Sequence, residues 1–299
     1  MNPGIGFWTE QEIRDRVSVS TLVFGQFMPL CERSLLELTK RGIRKIELLE
    51  SPMQCDLSSA GSMKVMGDIF NACGIEVAAY HAHRTEFHDI EDEQARVERV
   101  DTCRRQIDSL AELGGTVWAS HAYKHNPLIV KSYEELLRHV EGTNIVVAFE
   151  NFVKEGCSVG KRVALLDVLE HKNAGMILDI GHVRNKDGGN SMTVPGGPTE
   201  VIRLCGRHLK HLHLHGFKNG IDHHPPMVEG DTIQWAELFL NLHKIDYTGL
   251  INFEPYGSPR DGSDQTKTLA TVTRALEHAA RFPREIVEQL SRGNEGNGS

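Results

Sequence analysis

Glu150, Asp179 and Glu254 each stand at or next to the end of a short apolar run, and His81 and His121 close two others. Glu50 directly follows another such run, and His182 lies three residues beyond Asp179. Carboxylate oxygens and imidazole nitrogens gathered in one place suit a divalent cation such as Mn²⁺, Co²⁺, Mg²⁺ or Zn²⁺. Several carboxylates crowded together repel one another, and a cation is the natural neutraliser. The six cysteines are scattered without a CxxC pair, so they read as reduced, mostly buried thiols and not as a structural zinc site or a disulfide frame.

One run offers more than one candidate. His211, His213 and His215 alternate with Leu212 and Leu214, which puts all three imidazoles on one face of a strand. Successive residues on that face are roughly 6–7 Å apart, so the three cannot all serve one ion. Asp222 and His224 follow in the next loop and could supply a second metal or a substrate contact. Taken singly, a strand-end carboxylate is more often a helix cap or an ion-pair partner. Glu47, between Ile46 and Leu48, reads equally well as a salt bridge inside the fold, and Glu50 as a loop cap. The convergence carries the inference, not any one residue.

The elements that would position these groups alternate along the chain. Apolar runs at 17–24, 44–49, 75–81, 115–121, 144–150, 175–180, 209–215 and 249–254 predict strands, several too apolar to have a solvated face. Helical periodicity fills the intervals, clearest at 91–113 (Ala95, Val97, Val100, Ile107, Leu110, Leu113), 161–171 and 234–245. Gly42, Gly74 and Gly114 follow three predicted helices as caps. Uninterrupted β-then-α units predict an α/β fold, a single-domain (β/α)₈ TIM barrel over residues 1–292, with a disordered tail at 293–299. An open doubly wound sheet is the alternative. In a barrel, strand C-termini share one rim, which is where the candidate residues fall. The Gly/Pro-rich stretch 184–199 is a candidate mobile lid.

Composition narrows the classes. Hydrophobic residues at 39% and charged residues at 25% are ordinary for a globular chain. No apolar run approaches the roughly 18 residues of a membrane span, and the N-terminal residues lack a signal-peptide layout, which points to the cytoplasm. A net charge of −8 argues against nucleic acid as a partner. A small molecule is the expected partner. Self-association into a homo-oligomer is compatible with such a barrel, though no sequence feature dictates it.

The segments VAFEN around Glu150, ILDIGH (177–182), HLHLH (211–215), DHHPPMVEGDTIQW (222–235) and GLINFEP (249–255) resemble the xylose-isomerase-like TIM-barrel superfamily. That superfamily holds sugar-phosphate isomerases, keto-sugar epimerases and endonuclease IV. The resemblance spans about residues 44 to 256. It implies that Glu150, Asp179, His213 and Glu254 ligate a metal, as in the epimerase branch, and that His182 binds substrate. His81, His121, Asp222 and His224 stand where the endonuclease branch places further zinc ligands. The glycine-rich opening strand of that branch is absent from 17–27, and MVEGD lacks a second glycine common in this loop.

The expected activity is divalent-metal-dependent isomerisation or epimerisation of a sugar or polyol-type substrate. A bound ion would lower the cost of an enediolate. Glu150 and Glu254 would act as catalytic base and acid on opposite sides of the reacting carbon. His182, His81, His121 and Glu50 would bind substrate, with Asp222 and His224 as a possible second metal site. The alternatives are a lyase or dehydratase on a related polyol, a multinuclear-zinc phosphodiesterase, and a sugar-binding barrel without catalysis.

Overall fold

A computed structural model describes residues 8–25, 29–51, 54–55, 57–82, 90, 92–121, 127–153, 157–184, 188–218, 221–223, 230–256 and 265–295. Among the described residues the strands are β1 (Val17–Ser20), β2 (Lys45–Leu49), β3 (Glu76–His81), β4 (Val117–His121), β5 (Val146–Glu150), β6 (Ala174–Asp179), β7 (Leu209–His213), β8 (Gly216–Lys218), β9 (Ile221–His223) and β10 (Ile251–Phe253). The helices are α1 (Glu10–Arg16), α2 (Glu32–Thr39), α3 (Ala60–Cys73), α4 (Glu93–Glu112), α5 (Pro127–His139), α6 (Val159–Leu169), α7 (Gly197–Cys205), α8 (Trp235–Lys244) and α9 (Gln265–Glu295).

Eight strands form one parallel sheet in the order β10-β1-β2-β3-β4-β5-β6-β7. Leu214 bridges Phe253 in parallel across the two ends, its amide donating to Asn252 and its carbonyl accepting from Glu254. The sheet is thereby closed as a barrel, with helices between successive strands, as the alternating pattern predicts. β8 and β9 are a short antiparallel hairpin beside the barrel mouth after β7.

The strands explain the burial. Outward residues such as Ile46, Leu48, Tyr80, Trp118, Phe149, Met176, Leu178 and Leu212 are buried beneath the helices. Several inward positions in the middle of the barrel are small (Ala79, Ala119, Ala148) and pack with Val117 and Ile177, while those toward the C-terminal end are polar. Small residues leave room on the axis, and the polar ones above them make the site.

Three expectations change in detail. The first strand stops at Ser20, and Thr21–Phe24 turn into a 3₁₀ helix. The Ser20 hydroxyl accepts from Leu22, and the Thr21 hydroxyl accepts from the Leu49 amide, replacing the ladder bond of a longer strand. On α4, Val97 is 39% exposed, while the Arg96 side chain is buried and bonds Glu93 and Glu135. The inner stripe is therefore Arg96, Val100, Cys103, Ile107 and Leu110, which advances by alternating fours and threes. At the C-terminus α9 continues through 293–295, residues expected to lie in a disordered tail, while 296–299 lie outside the described residues.

Gly74 ends α3 at φ 63° and ψ 38°, the left-handed conformation that a residue with Cβ adopts only with strain. Among the described residues, no helix is long and apolar enough to cross a membrane.

Candidate metal centre

The register of β4–β7 brings the predicted residues to the same end of the barrel. His121 pairs with Glu150 across β4–β5, Glu150 with Ile177 across β5–β6, and Asp179 with His213 across β6–β7. A shift in register between Met176 and Ile177 sets the last of these pairings. Donor atoms of Glu150, Asp179, His213 and Glu254 all lie within 4.8 Å of one another, and all four residues are buried. His81, His121 and Glu150 meet the same criterion. A third set, Glu47, His81, His213 and Glu254, also does.

The hydrogen bonds leave particular atoms over. Asp179 Oδ1 accepts from the amides of Gly181 (2.8 Å) and His182 (2.9 Å) and meets His215 Nε2 at 2.9 Å. Its Oδ2 has no hydrogen bond and faces His182 Nδ1 at 3.1 Å. His213 Nδ1 stands 3.3 Å from Glu150 Oε1 and 3.3 Å from Glu254 Oε2, yet is also without a hydrogen bond. Glu150 Oε2 is in the same condition, 3.0 Å from His121 Nε2 and 3.5 Å from His81 Nε2. Buried polar atoms are ordinarily hydrogen-bonded. Here their lone pairs converge on shared space instead of on one another. Oxygen and nitrogen donors so disposed fit a divalent cation with bonds of about 2.1 Å.

The electrostatics agree. Burial opposes charge on Glu150, but His121 and His213 hold its carboxyl well below the usual range. Burial likewise opposes charge on Asp179, where His182 and His215 bring the pKa down. Glu254 is buried too, and His213 brings it to about 2. Conversely, His213 is buried, yet Glu254, Glu47 and Glu150 raise it well above an ordinary imidazole. His182, opposed by burial but facing Asp179 and Glu150, reaches about 11. The pocket strongly favours positive charge, and a proton on His213 Nδ1 and a cation compete for the same lone pair.

His182 sits at the opening, with 19% of its side chain exposed. Phe152, not anticipated from the sequence, packs edge-on against His182 (4.7 Å between centroids) and His121 (5.2 Å) and so walls the opening. Its only sequence signal is its place two residues past Glu150. Asn151 was also missed. Its side chain bonds both the carbonyl and the amide of Asp179, at 2.9 Å each, and locks β5 to β6.

Glu50 does not join the cluster. Its carboxylate accepts from Gln106 Nε2 on α4 at 2.9 Å, and Gln106 in turn meets Tyr80 and Trp118, which face the helix layer. The Glu50 amide still bonds the His81 carbonyl of β3 at 2.9 Å, so strand alternation sends this side chain outward with Leu48, on the face opposite Glu47. Asp222 belongs to the hairpin strand β9, though its side chain is not described, and His224 lies outside the described residues. The stretch 184–199, expected to be a lid, is partly folded. Asn190 bonds the carbonyls of Ile180 and Gly181, Ser191–Thr193 form a 3₁₀ turn with Met192 fully buried, and α7 starts at Gly197. Residues 185–187 lie outside the described residues.

Comparison with solved structures gives the same architecture. A D-psicose 3-epimerase from Clostridium cellulolyticum H10, solved with D-tagatose, superposes with a TM-score of 0.68 at 16% identity, covering 91% of this chain and 99% of that one. A D-tagatose 3-epimerase-like protein gives 0.67 at 19% identity, covering 93% and 99%. A xylose isomerase-like TIM barrel protein from Mycobacterium smegmatis, solved in complex with magnesium, gives 0.65 at 14%, covering 92% and 100%. No curated protein matches by sequence. Residues 42–280 match the family profile described as xylose isomerase-like TIM barrel, and the chain belongs to that family.

Proposed function

We propose that this protein is a divalent-metal-dependent isomerase or epimerase of a keto-sugar or a related polyol-type substrate. The observation that carries the reading is the placement of Glu150 and Glu254. They come from β5 and from β10 across the barrel, and their oxygens flank His213 Nδ1 at 3.3 Å on each side. Among structural neighbours, the two epimerase-type proteins noted above add support at the level of fold.

A divalent ion held by Glu150, Asp179, His213 and Glu254 would polarise the substrate carbonyl and stabilise negative charge developing on its oxygen. One of the two glutamates removes the proton from the carbon beside the carbonyl, and the C–H electron pair moves toward the carbonyl oxygen. The other glutamate, after taking a proton from solvent, delivers it to the opposite face of that carbon as the electron pair returns from oxygen, which inverts the carbon, and the first glutamate then gives its proton to solvent. Positioned acid–base groups of this kind contribute about 10²–10⁴-fold each. His182, at the opening, holds a substrate oxygen, and His81 and His121 hold further hydroxyls. Phe152 closes the wall between them and limits water. The cytoplasm is the proposed location, where the six free cysteines stay reduced.

Incubating the metal-loaded protein with ketohexoses, ketopentoses and their phosphates in D₂O tests the proposal. Deuterium should enter at the carbon beside the carbonyl, and Glu150→Gln and Glu254→Gln should abolish the exchange. Absence of exchange from every ketose, with Mn²⁺, Co²⁺, Mg²⁺ and Zn²⁺ each tried, refutes it.

One observation favours a second reading. His81, His121 and Glu150 form a separate donor set sharing Glu150 with the first, as a multinuclear-zinc phosphodiesterase requires. More than one zinc per chain, with hydrolysis of bis(p-nitrophenyl) phosphate, would select that reading over proton transfer.

A further inference from the structure

Directly beneath the candidate metal donors lies a second polar layer with no part in the proposed reaction. Glu47 is wholly buried at the centre of β2. Its Oε2 meets His211 Nε2 at 2.8 Å and His213 Nε2 at 3.1 Å. Its Oε1 accepts from Asn252 Nδ2 at 3.2 Å, and Asn252 Oδ1 accepts from the Ser18 hydroxyl at 2.7 Å. The set draws on β1, β2, β7 and β10, neighbours around the closed barrel. A carboxylate buried without partners would be costly, so this chain of donors is what makes Glu47 tolerable there.

We propose that Glu47 is a positioning residue for the metal centre, acting through His213. The proposal rests on the metal-binding reading above. An ionised carboxylate can only accept, so a neutral His213 must carry its proton on Nε2, toward Glu47. That leaves the Nδ1 lone pair directed at the gap between Glu150 and Glu254. The opposite tautomer would point an N–H into the metal position and set a lone pair against the Glu47 carboxylate. Glu47 thus selects the ligating tautomer, locks the ring plane and strengthens the nitrogen as a donor, as carboxylates behind ligating histidines do. Asn252, anchored by Ser18, keeps the carboxylate from rotating away.

His215 is the contrast within the same strand. It meets Asp179 Oδ1, the oxygen already occupied by two amides, and leaves Oδ2 for the ion. The two histidines on either side of His213 therefore serve different supports. His211 shares Glu47 and is not part of the donor set. Glu47 also lies near enough to His81 and Glu254 to count as a donor itself. Its two oxygens, however, already meet three nitrogen donors, and it lies on the far side of the His213 ring from Glu150.

The test is the dissociation constant of Mn²⁺ and Zn²⁺, measured by competition with a fluorescent chelator on wild type, Glu47→Gln, Glu47→Asp and His211→Gln. Glu47→Gln is expected to weaken metal binding by about 10–100-fold at unchanged stoichiometry. Glu47→Asp, which keeps the charge, should recover part of that loss. His211→Gln disturbs the same buried layer but spares the His213 hydrogen bond, and should lower the apo thermal midpoint with little effect on metal affinity. In the Zn²⁺-loaded wild type, ¹⁵N correlation spectra should find the His213 proton on Nε2. Unchanged affinity in folded Glu47→Gln, an Nδ1–H tautomer, or a loss equal to that in His211→Gln overturns the proposal. So does a drop of one metal per chain, which would make Glu47 a ligand. If Glu47→Gln does not fold, Glu47→Asp against His211→Gln decides by the same comparison. A wild type that binds no metal refutes the underlying reading instead, a result distinct from all of these.

Discussion

Glu150→Gln removes one charge from a nearly isosteric side chain at the point where the two donor sets meet. Glu150 is 1% exposed, and its oxygens reach His121 at 3.0 Å, His213 at 3.3 Å, His81 at 3.5 Å and His182 at 3.6 Å. Removing one member of such a buried charge set ordinarily costs about 3–5 kcal/mol, because the remaining charges lose their compensation. If the cation bears that loss, affinity falls roughly 150- to 4,000-fold, at about 1.4 kcal/mol per tenfold. The amide nitrogen makes matters worse, since it presents hydrogens where the ion would sit. Titration of Co²⁺ or Mn²⁺ against a competing chelator reads the change, with circular dichroism and the apo thermal midpoint reporting the fold separately. A correctly folded Glu150→Gln protein binding metal within threefold of wild type would show that Glu150 is no ligand. Both the metal centre and the proton-transfer scheme would then fail.

Other perturbations probe the wall of the site and the scaffold. Phe152→Ala should leave metal affinity unchanged and raise KM for a ketose more than it lowers kcat, because the ring packs on His121 and His182, which are proposed to bind substrate and not metal. A loss of metal in this variant would contradict that assignment. Phe282→Ala should destabilise the protein by about 3–5 kcal/mol. This ring, 1% exposed, packs edge-on or tilted on Trp235, Phe239 and Phe253 and fastens α9 to the barrel. A thermal midpoint lowered by roughly 10 °C is the expected reading. Glu93 accepts from Arg96 and Lys131, and these bonds bring its pKa to about 2 from a usual 4.5. Its folded-state pKa is depressed, so its contribution is complete above pH 4.5 and disappears as pH falls toward 2. The difference in stability between wild type and Glu93→Gln should shrink over that interval. A difference independent of pH would exclude the ion-paired role.

Much of the site was legible from local pattern alone. Strand alternation makes every second residue of 209–215 face inward, so HLHLH announces imidazoles on the axis whatever surrounds it. The barrel rule then assembles residues more than a hundred positions apart, such as Glu150 and Glu254, from nothing more than their places at strand ends. The helical stripe of α4 could be read in the same way, apart from Ala95 and Val97, which are exposed. In the first turn it is Arg96, one turn before Val100, that faces inside, where Glu135 on α5 meets it.

What the tertiary structure decided concerns direction and partnership. Periodicity assigns a face but not an atom. That His213 offers Nδ1 to the metal position and Nε2 to Glu47 depends on where β2 lies relative to β7, the third and last strands of the sheet order, brought near each other by closure. Glu50 shows the converse. It follows a strand as Glu254 does, yet its amide still bonds His81 of β3, and its carboxylate, on the outward parity of Leu48, meets Gln106 in the helix layer. Register shifts between Ile46 and Glu47 and between Met176 and Ile177 adjust which residues stand level, and a sequence carries no periodic signal for one displaced residue. Residue types and their spacing thus specified the barrel and the chemistry available at its rim. Closure, register and the donors around each carboxylate chose which side chains face one another, because those contacts join segments whose separation along the chain exceeds any local pattern.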